Sequence, residues 1–446
     1  MRMGTMSKIG FISLGCPKNQ IDTEIMLGHV ATAGYEITPN AEEADIVIVN
    51  TCAFINDAKQ ESISEILELE YLKQNTGLKG IIVTGCLAQE FKDDILKDLE
   101  CVDCVLGVGS IHSIVDAIKE VEAGNKFSEY RDINEVELGG DRIVTTGDSF
   151  AYLKISEGCN NHCTYCLIPS LRGKFRSRPM DDIIKEAREL TEMGIPELVV
   201  IGQDTTAYGI DLYGKYELHT LLSRLARETD VKWLRVLYCY PDKITPELIN
   251  EFKTNDKLVK YIDIPIQHIN DRILKRMNRR GDGKMIKDVI AGLREVEGMT
   301  IRTTAIVGFP SETDEEFEEL WSFVRETGFD KFGAFEYSPQ EGTPAYSFEN
   351  QIDDEIKKER FDLIMREQSY VSENLAKNAI GSVAEVIYEG YDPILEMHKG
   401  RDYKNAPEID GMIFFKTIKK HEIGEFLRVE ITDYDEEFFD LIGKEI

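Results

Sequence analysis

The segment Glu157-Gly-Cys159-Asn-Asn-His-Cys163-Thr-Tyr-Cys166 puts three thiols on one short loop. At C-x3-C-x2-C spacing, three thiolates can grip three corners of a cubane iron–sulfur cluster. No fourth cysteine follows nearby, so one iron is left without a protein ligand. Electron-transfer ferredoxins close all four corners with cysteine, whereas an open corner invites a small chelating molecule. The competing reading is a zinc knuckle, which needs a fourth Cys or His. His162, inside the loop, is the one candidate, though at that spacing it crowds its neighbours.

A second set is dispersed. Three short apolar runs end in cysteine: residues 8–13 lead to Cys16, 45–50 to Cys52 and 80–84 to Cys86. Helical stretches follow, for example 57–72, so the first ~120 residues read as a parallel α/β sheet covered on both faces. Ligands gather outside the carboxyl ends of such strands. The strand rule therefore predicts that Cys16, Cys52 and Cys86 converge into a second three-thiolate site. The alternative is three small buried hydrophobes. Cys101 and Cys104 form a C-x2-C without a matching pair, inside a segment, 99–106, that alternates like a strand. They read as structural, as does Cys239.

The elements that must position these groups follow from length and pattern. A chain of 446 residues with 42% hydrophobic and 30% charged residues implies two or three globular domains. No apolar run reaches membrane-span length, and residues 1–8 lead towards a strand with no secretory h-region, so the expected location is cytoplasmic. From about residue 150, strand–helix units lengthen. Candidate strands are 151–156, 197–202, 233–238, 261–265, 301–308 and 332–337, with helices such as 181–193 and 314–327 between them. Six βα units suggest a partial barrel with its chemistry at the C-terminal mouth, where the 159–166 loop would sit. The last ~70 residues alternate at 383–389, 411–416 and 426–432, as strands of a small β-barrel do. The expected architecture is an N-terminal doubly wound α/β domain (7–123), a central partial (βα)6 barrel (145–375) and a C-terminal β-barrel (378–446).

The 159–166 spacing resembles the signature of radical S-adenosylmethionine (SAM) enzymes. With the dispersed set, the whole chain resembles the methylthiotransferase family of those enzymes. Local motifs resemble the branch that modifies ribosomal protein S12: Ser13-Leu-Gly-Cys-Pro-Lys-Asn19, Asn50-Thr-Cys-Ala-Phe-Ile-Asn56, Gln203-Asp204-Thr205, Tyr337-Ser-Pro-Gln-Glu-Gly-Thr-Pro344 and the run from Gly400 to Gly411. The transfer-RNA branch typically has Gln-Met-Asn after its first cysteine. The C-terminal unit looks like a TRAM domain. The resemblance implies SAM and two 4Fe–4S clusters, held by Cys159, Cys163 and Cys166 and by Cys16, Cys52 and Cys86. One electron from a low-potential donor would cleave SAM, and a second SAM would methylate the inserted sulfur. The target would be the β-carbon of an aspartate on S12. Expected SAM contacts are Tyr165 beside the loop, Gly202 and Gln203 after the second barrel strand, Gln267 after the fourth and Gly308 after the fifth. Each is alternatively an ordinary rim residue.

The net charge of −30 separates the possible partners. Residues 383–446 hold sixteen acidic against eight basic side chains, a net of −8. Nucleic-acid modules are usually basic. An acidic barrel suits a basic ribosomal protein and argues against tight RNA binding, and so against methylthiolation of adenosine in transfer RNA, the alternative reading. An electron carrier would need no open iron, and a zinc-stabilised interaction protein would be colourless. Two basic runs, from Leu171 to Arg178 and from Lys275 to Arg280, stand out in this acidic chain as candidates for a SAM carboxylate, a substrate carboxylate or RNA phosphates. Segments 60–77 and 120–147 read as surface connections.

Overall fold

The computed structural model describes residues 7–446. The leading segment 1–6, read above as running towards the first strand, lies outside the described residues. The first six strands are β1 (Lys8–Ser13), β2 (Glu36–Thr38), β3 (Ile46–Thr51), β4 (Gly80–Gly85), β5 (Cys104–Leu106) and β6 (Phe127–Glu129). They form one parallel sheet in the order β2-β1-β3-β4-β5-β6. Every residue of β3 is buried, as a strand covered on both faces requires. Ile46 and Ile48 pack with Met26 and Val30 of helix Pro17–Thr32 and with Ile114 and Ile118 of helix Ile114–Glu122. Val47 and Val49 turn the other way, onto Ile66 and Leu69 of helix Asn56–Asn75.

That last helix bears out the helical stretch expected over 57–72 and corrects the reading of 60–77 as a connection. Its buried stripe is only Ser62, Ile66 and Leu69, a narrow apolar face on an otherwise charged helix. The 99–106 alternation also shrinks, to β5 alone.

The central unit begins with β7 (Phe150–Lys154), followed by a short antiparallel pair, β8 (Ser156–Glu157) and β9 (Arg176–Ser177). Then come β10 (Glu197–Ile201), β11 (Trp233–Val236), β12 (Leu258–Asp263), β13 (Thr300–Val307) and β14 (Lys331–Glu336). The order β14-β13-β12-β11-β10-β7 is parallel throughout, an open six-stranded partial barrel. Its outer face packs on the surrounding helices. Its inner face carries Tyr152, Val199, Ile201, Trp233 and Tyr261, and Ile21 and Ile25 of the N-terminal domain pack against it.

Helix Asp354–Ala379 leads to a closed barrel of β15 (Val383–Asp392), β16 (Met397–Arg401), β17 (Ile413–Lys416), β18 (Phe426–Tyr434) and β19 (Leu441–Glu445), ordered β15-β16-β17-β19-β18. Strand β16 is invisible in sequence because Met-His-Lys-Gly-Arg lacks an apolar alternation. This barrel docks on the amino ends of the central strands. Arg401 pairs with Glu197 at 2.8 Å, and Glu197 also holds Arg235 at 2.7 Å, all three fully buried. The hydroxyls of Tyr152 and Tyr261 donate to Glu408 (2.9 Å) and Asp410 (2.7 Å).

Candidate active site

Strand β1 is followed by Leu14-Gly15-Cys16, and Cys16 caps helix Pro17–Thr32 in extended conformation. Cys52 follows β3. Cys86 opens helix Cys86–Phe91 directly after β4. The three strands are adjacent and in register, Ser13 beside Asn50 and Thr51 beside Gly85. The structure therefore brings Cys16, Cys52 and Cys86 to one edge, where the strand order reverses between β1 and β3. Two glycines permit the approach. At Gly15 (φ +89°) an added Cβ would lie 2.8 Å from the Cys52 Cβ, and at Gly85 (φ +93°) one would lie 2.3 Å from the Asn50 side chain. Burial raises the Cys52 thiol and pushes Cys86 up to about 12.

The 159–166 loop follows β8 at the mouth of the partial barrel. Cys159 and Cys163 are buried and Cys166 is half-buried. Burial, with the neighbouring thiols adding to it, pushes Cys159 up to about 11 and Cys166 up to about 12. These groups ionise readily only beside a compensating positive centre. The Asn161 amide donates to the Cys159 sulfur at 3.4 Å and to Asp204 at 2.7 Å, and Lys243 pairs with Asp204 at 2.9 Å. The Tyr240 hydroxyl lies 3.6 Å from the Cys163 sulfur, with the Arg279 guanidinium 4.2 Å from the Tyr240 ring centre. His162, the candidate zinc ligand, is exposed with φ +50°. Among the described residues, no three His, Cys, Asp or Glu side chains gather around one metal position. Thiols alone, on a loop with no fourth donor, fit an iron–sulfur cluster better than a zinc ion.

Only one short helix separates the two cysteine sets. Helix Ile168–Arg172 follows Cys166 and packs on helix Cys86–Phe91, and Leu167 and Leu171 share a core cluster with Cys86 and Leu87. Arg172, at its end, is buried. It pairs with Asp22 (2.6 Å) and Glu157 (3.6 Å) and donates to Asn19. The Asn19 oxygen lies 3.8 Å from the Cys86 sulfur. Lys154 bridges Asp22 (2.7 Å) and Glu157 (3.0 Å), and Gln203 donates to Glu157. Burial alone would raise the Glu157 carboxyl, but Lys154 and Arg172 hold it well below the usual carboxylate range.

Arg172 is thus no free anion receptor. Its neighbours in the basic run are equally engaged: Arg176 donates to the carbonyls of Val136 and Ile133, and Arg178 pairs with Glu186 at 2.6 Å. Only Lys174 of that run is exposed. Segment 120–147 is more than a connection. Arg142 pairs with buried Glu24, and the Thr145 N–H donates to the same carboxylate at 2.7 Å, so the segment straps the first domain to the second. Neither role is legible locally: Asp22 and Glu24 lie more than a hundred residues from Arg172 and Arg142, and a charge does not name its partner.

The expected SAM contacts all border the mouth. The Oε1 atoms of Gln203 and Gln267 are buried without a partner, as is an Arg279 Nη1, so each has hydrogen-bonding capacity unspent within the protein. Tyr165 is half-buried, edge-on to Phe309 at 6.4 Å. Gly202 has Ser156 where a Cβ would point (2.5 Å). At Gly308 (φ +70°) that space holds Lys357 and the N–H is taken by Glu312 at 2.6 Å, so this glycine has a folding reason of its own. Five non-glycine residues with positive φ lie at or beside this rim: His162, Tyr238, Gln267, Asn278 and Ser311. Strain of this kind persists where surrounding structure enforces it, commonly at functional sites. Tyr240, Arg279 and Asn161 are the residues beside the thiols that spacing alone misses. The hint was a Tyr-Cys-Tyr-Pro run closing a strand.

Three family models match in order: "Uncharacterized protein family UPF0004" over residues 8–107, the radical SAM superfamily over 153–324 and a TRAM domain over 380–446. The chain is 49% identical over 439 residues to a ribosomal protein uS12 methylthiotransferase RimO of Clostridium botulinum, covering 97% of each chain. It is 48% identical over 445 residues to the protein of that name in Caldicellulosiruptor saccharolyticus, covering 99% of this chain and all of the other. Among solved structures, the radical SAM methyltransferase TsrM of Kitasatospora setae shares the fold, with a TM-score of 0.58 at 12% identity over 77% of this chain and 74% of its own.

Proposed function

The chain belongs to the RimO family of ribosomal protein uS12 methylthiotransferases, and on that premise we propose that its two cysteine sets work together at the barrel mouth. The enzyme is a radical SAM methylthiotransferase, and uS12 is its substrate. A SAM-bound 4Fe–4S cluster supplies, once reduced, a carbon radical able to take hydrogen from an unactivated C–H bond, which acid–base groups cannot do.

Cys159, Cys163 and Cys166 hold that cluster. Asn161 and Tyr240 place polar hydrogens beside two of the three sulfurs, stabilising the thiolate forms. Gln203 and Gln267 offer their partnerless oxygens to SAM, and Tyr165 borders it. Cys16, Cys52 and Cys86 would hold a second 4Fe–4S cluster, which would supply the site for the sulfur to be inserted. Arg172, Asp22, Lys154 and Glu157 tie the two sets together across the seam. The acceptor is the β-carbon of an aspartate of uS12, and the acidic C-terminal barrel favours that basic protein over RNA. The observation that carries this reading is the adjacency of two three-thiol sets across one helical turn.

The test is mass spectrometry of uS12 after anaerobic incubation with the reconstituted enzyme, SAM and a low-potential reductant, with transfer RNA in parallel. A methylthio-sized gain on a uS12 aspartate is expected. A gain on transfer-RNA adenosine would overturn the partner and keep the chemistry.

A further inference from the structure

One buried cation near the mouth has no partner. Lys18, two residues past Cys16, is 5% exposed. Among the described residues its ammonium makes no ion pair and no hydrogen bond. It rests instead 2.9 Å from the centre of the Tyr238 ring, at the end of β11. An ammonium taken out of water is costly unless an anion meets it, and an aromatic face offsets only part of that cost.

The carboxylates nearby are already committed. Asp263 spends one oxygen on Arg302 (2.8 Å) and the other on the Tyr238 N–H (3.0 Å). Glu157 answers Lys154, Arg172 and Gln203. Tyr238 itself has φ +61°, so the ring under Lys18 is held by an enforced backbone turn. The arrangement is a desolvated, rigidly floored positive charge with an open coordination, lying where the N-terminal domain meets the barrel mouth. It suits a small carboxylate.

We propose that Lys18 binds the carboxylate of the acidic side chain that the enzyme modifies, over the Tyr238 ring and beside Cys16. This rests on the reading that uS12 is modified at an aspartate. SAM also carries a carboxylate. However, Lys18 belongs to the Cys16 set and not to the 159–166 loop, which assigns it to the acceptor. Among the described residues, no other on this rim presents a buried cation without a partner carboxylate or carbonyl.

The experiment measures the affinity of the reconstituted holoenzyme for uS12 and for uS12 with its target aspartate replaced by asparagine. It compares wild type, Lys18→Met and Lys18→Arg. Lys18→Met keeps the length of the side chain and removes the charge; Lys18→Arg keeps the charge and guards against a variant that misfolds. Wild type is expected to prefer the aspartate form about ten-fold or more, a charge-assisted contact's usual effect. Lys18→Met should lose the preference, Lys18→Arg should retain part of it, and SAM affinity should stay within about two-fold in all three. Retained discrimination in Lys18→Met overturns the proposal. So does a fall in SAM affinity in Lys18→Met, which would give the ammonium to SAM. Equal wild-type binding of both uS12 forms, with uS12 still methylthiolated, overturns the role of Lys18 alone. Absence of any uS12 modification overturns the functional reading beneath it.

Discussion

The two cysteine sets make similar sites by opposite means. One is written in eight consecutive residues, and a loop after β8 suffices to present it. The other is spread over about seventy residues and exists only because β1, β3 and β4 are neighbours in a parallel sheet. A contiguous motif survives almost any error in reading the fold. A dispersed one is only as good as the topology. The dispersed set also depends on more of the protein: Gly15 and Gly85 must lack side chains, and Asn19, Asn50 and Arg172 must hold the strand ends.

The largest effect expected is a separation of activities. Cys159→Ala should abolish SAM cleavage and transfer together. Cys52→Ala should leave cleavage of SAM to 5′-deoxyadenosine and abolish methylthio transfer. In both, iron should fall from about eight to about four atoms per chain. Chromatography of 5′-deoxyadenosine with an iron assay decides it, and equal loss of cleavage in both variants would mean the sets are not separable.

The next largest effect tests the seam. Arg172→Met leaves Asp22, Glu157 and Asn19 without their shared guanidinium in a buried site, which should cost about 3 kcal/mol or more. Denaturant unfolding reads this, and a change below about 1 kcal/mol would show that Lys154 alone closes the network. Asn161→Ala should act on one set only. Losing its bond to the Cys159 sulfur removes about 1 kcal/mol of support. The electron paramagnetic resonance signal of that cluster should move while the other stays fixed.

The smallest effect lies far from both sets. His421 sits 3.0 Å from Glu425 and 3.0 Å from Glu445. Burial opposes its charge, but the two carboxylates raise its folded-state pKa above the ordinary histidine value. The resulting stabilisation is complete below about pH 6.5 and fades as pH rises through the raised value. Hydrogen exchange in β19 should therefore quicken with pH beyond its intrinsic base catalysis, and His421→Gln should remove the excess.

What could be read in the sequence follows the same contrast. The parallel sheet, the six barrel strands and three strands of the C-terminal barrel were legible because apolar runs are local. Strands β2, β6, β9, β16 and β19 were not, being short or lacking alternation. Helix Asn56–Asn75 was legible over 57–72, while its last turn reads as a surface connection. The arginines from 172 to 178 looked like a receptor because composition shows a charge and not its partner. Their partners, Asp22, Glu186 and the carbonyls of segment 120–147, become visible only once the chain is folded. Lys18 is the converse, a basic residue whose charge is legible in the Ser13–Asn19 motif but whose burial on the Tyr238 ring is not.

The seating of the C-terminal barrel on Glu197, Arg235, Tyr152 and Tyr261 sets a ruler. That barrel is fixed at the amino ends of the central strands, whereas the thiols stand at their carboxyl ends. The six residues of β12 span about 20 Å at roughly 3.3 Å per residue. A partner gripped by the one and altered at the other must itself bridge that length, reaching round the flank of the partial barrel to deliver a single side chain. A folded protein can do this and a free amino acid cannot.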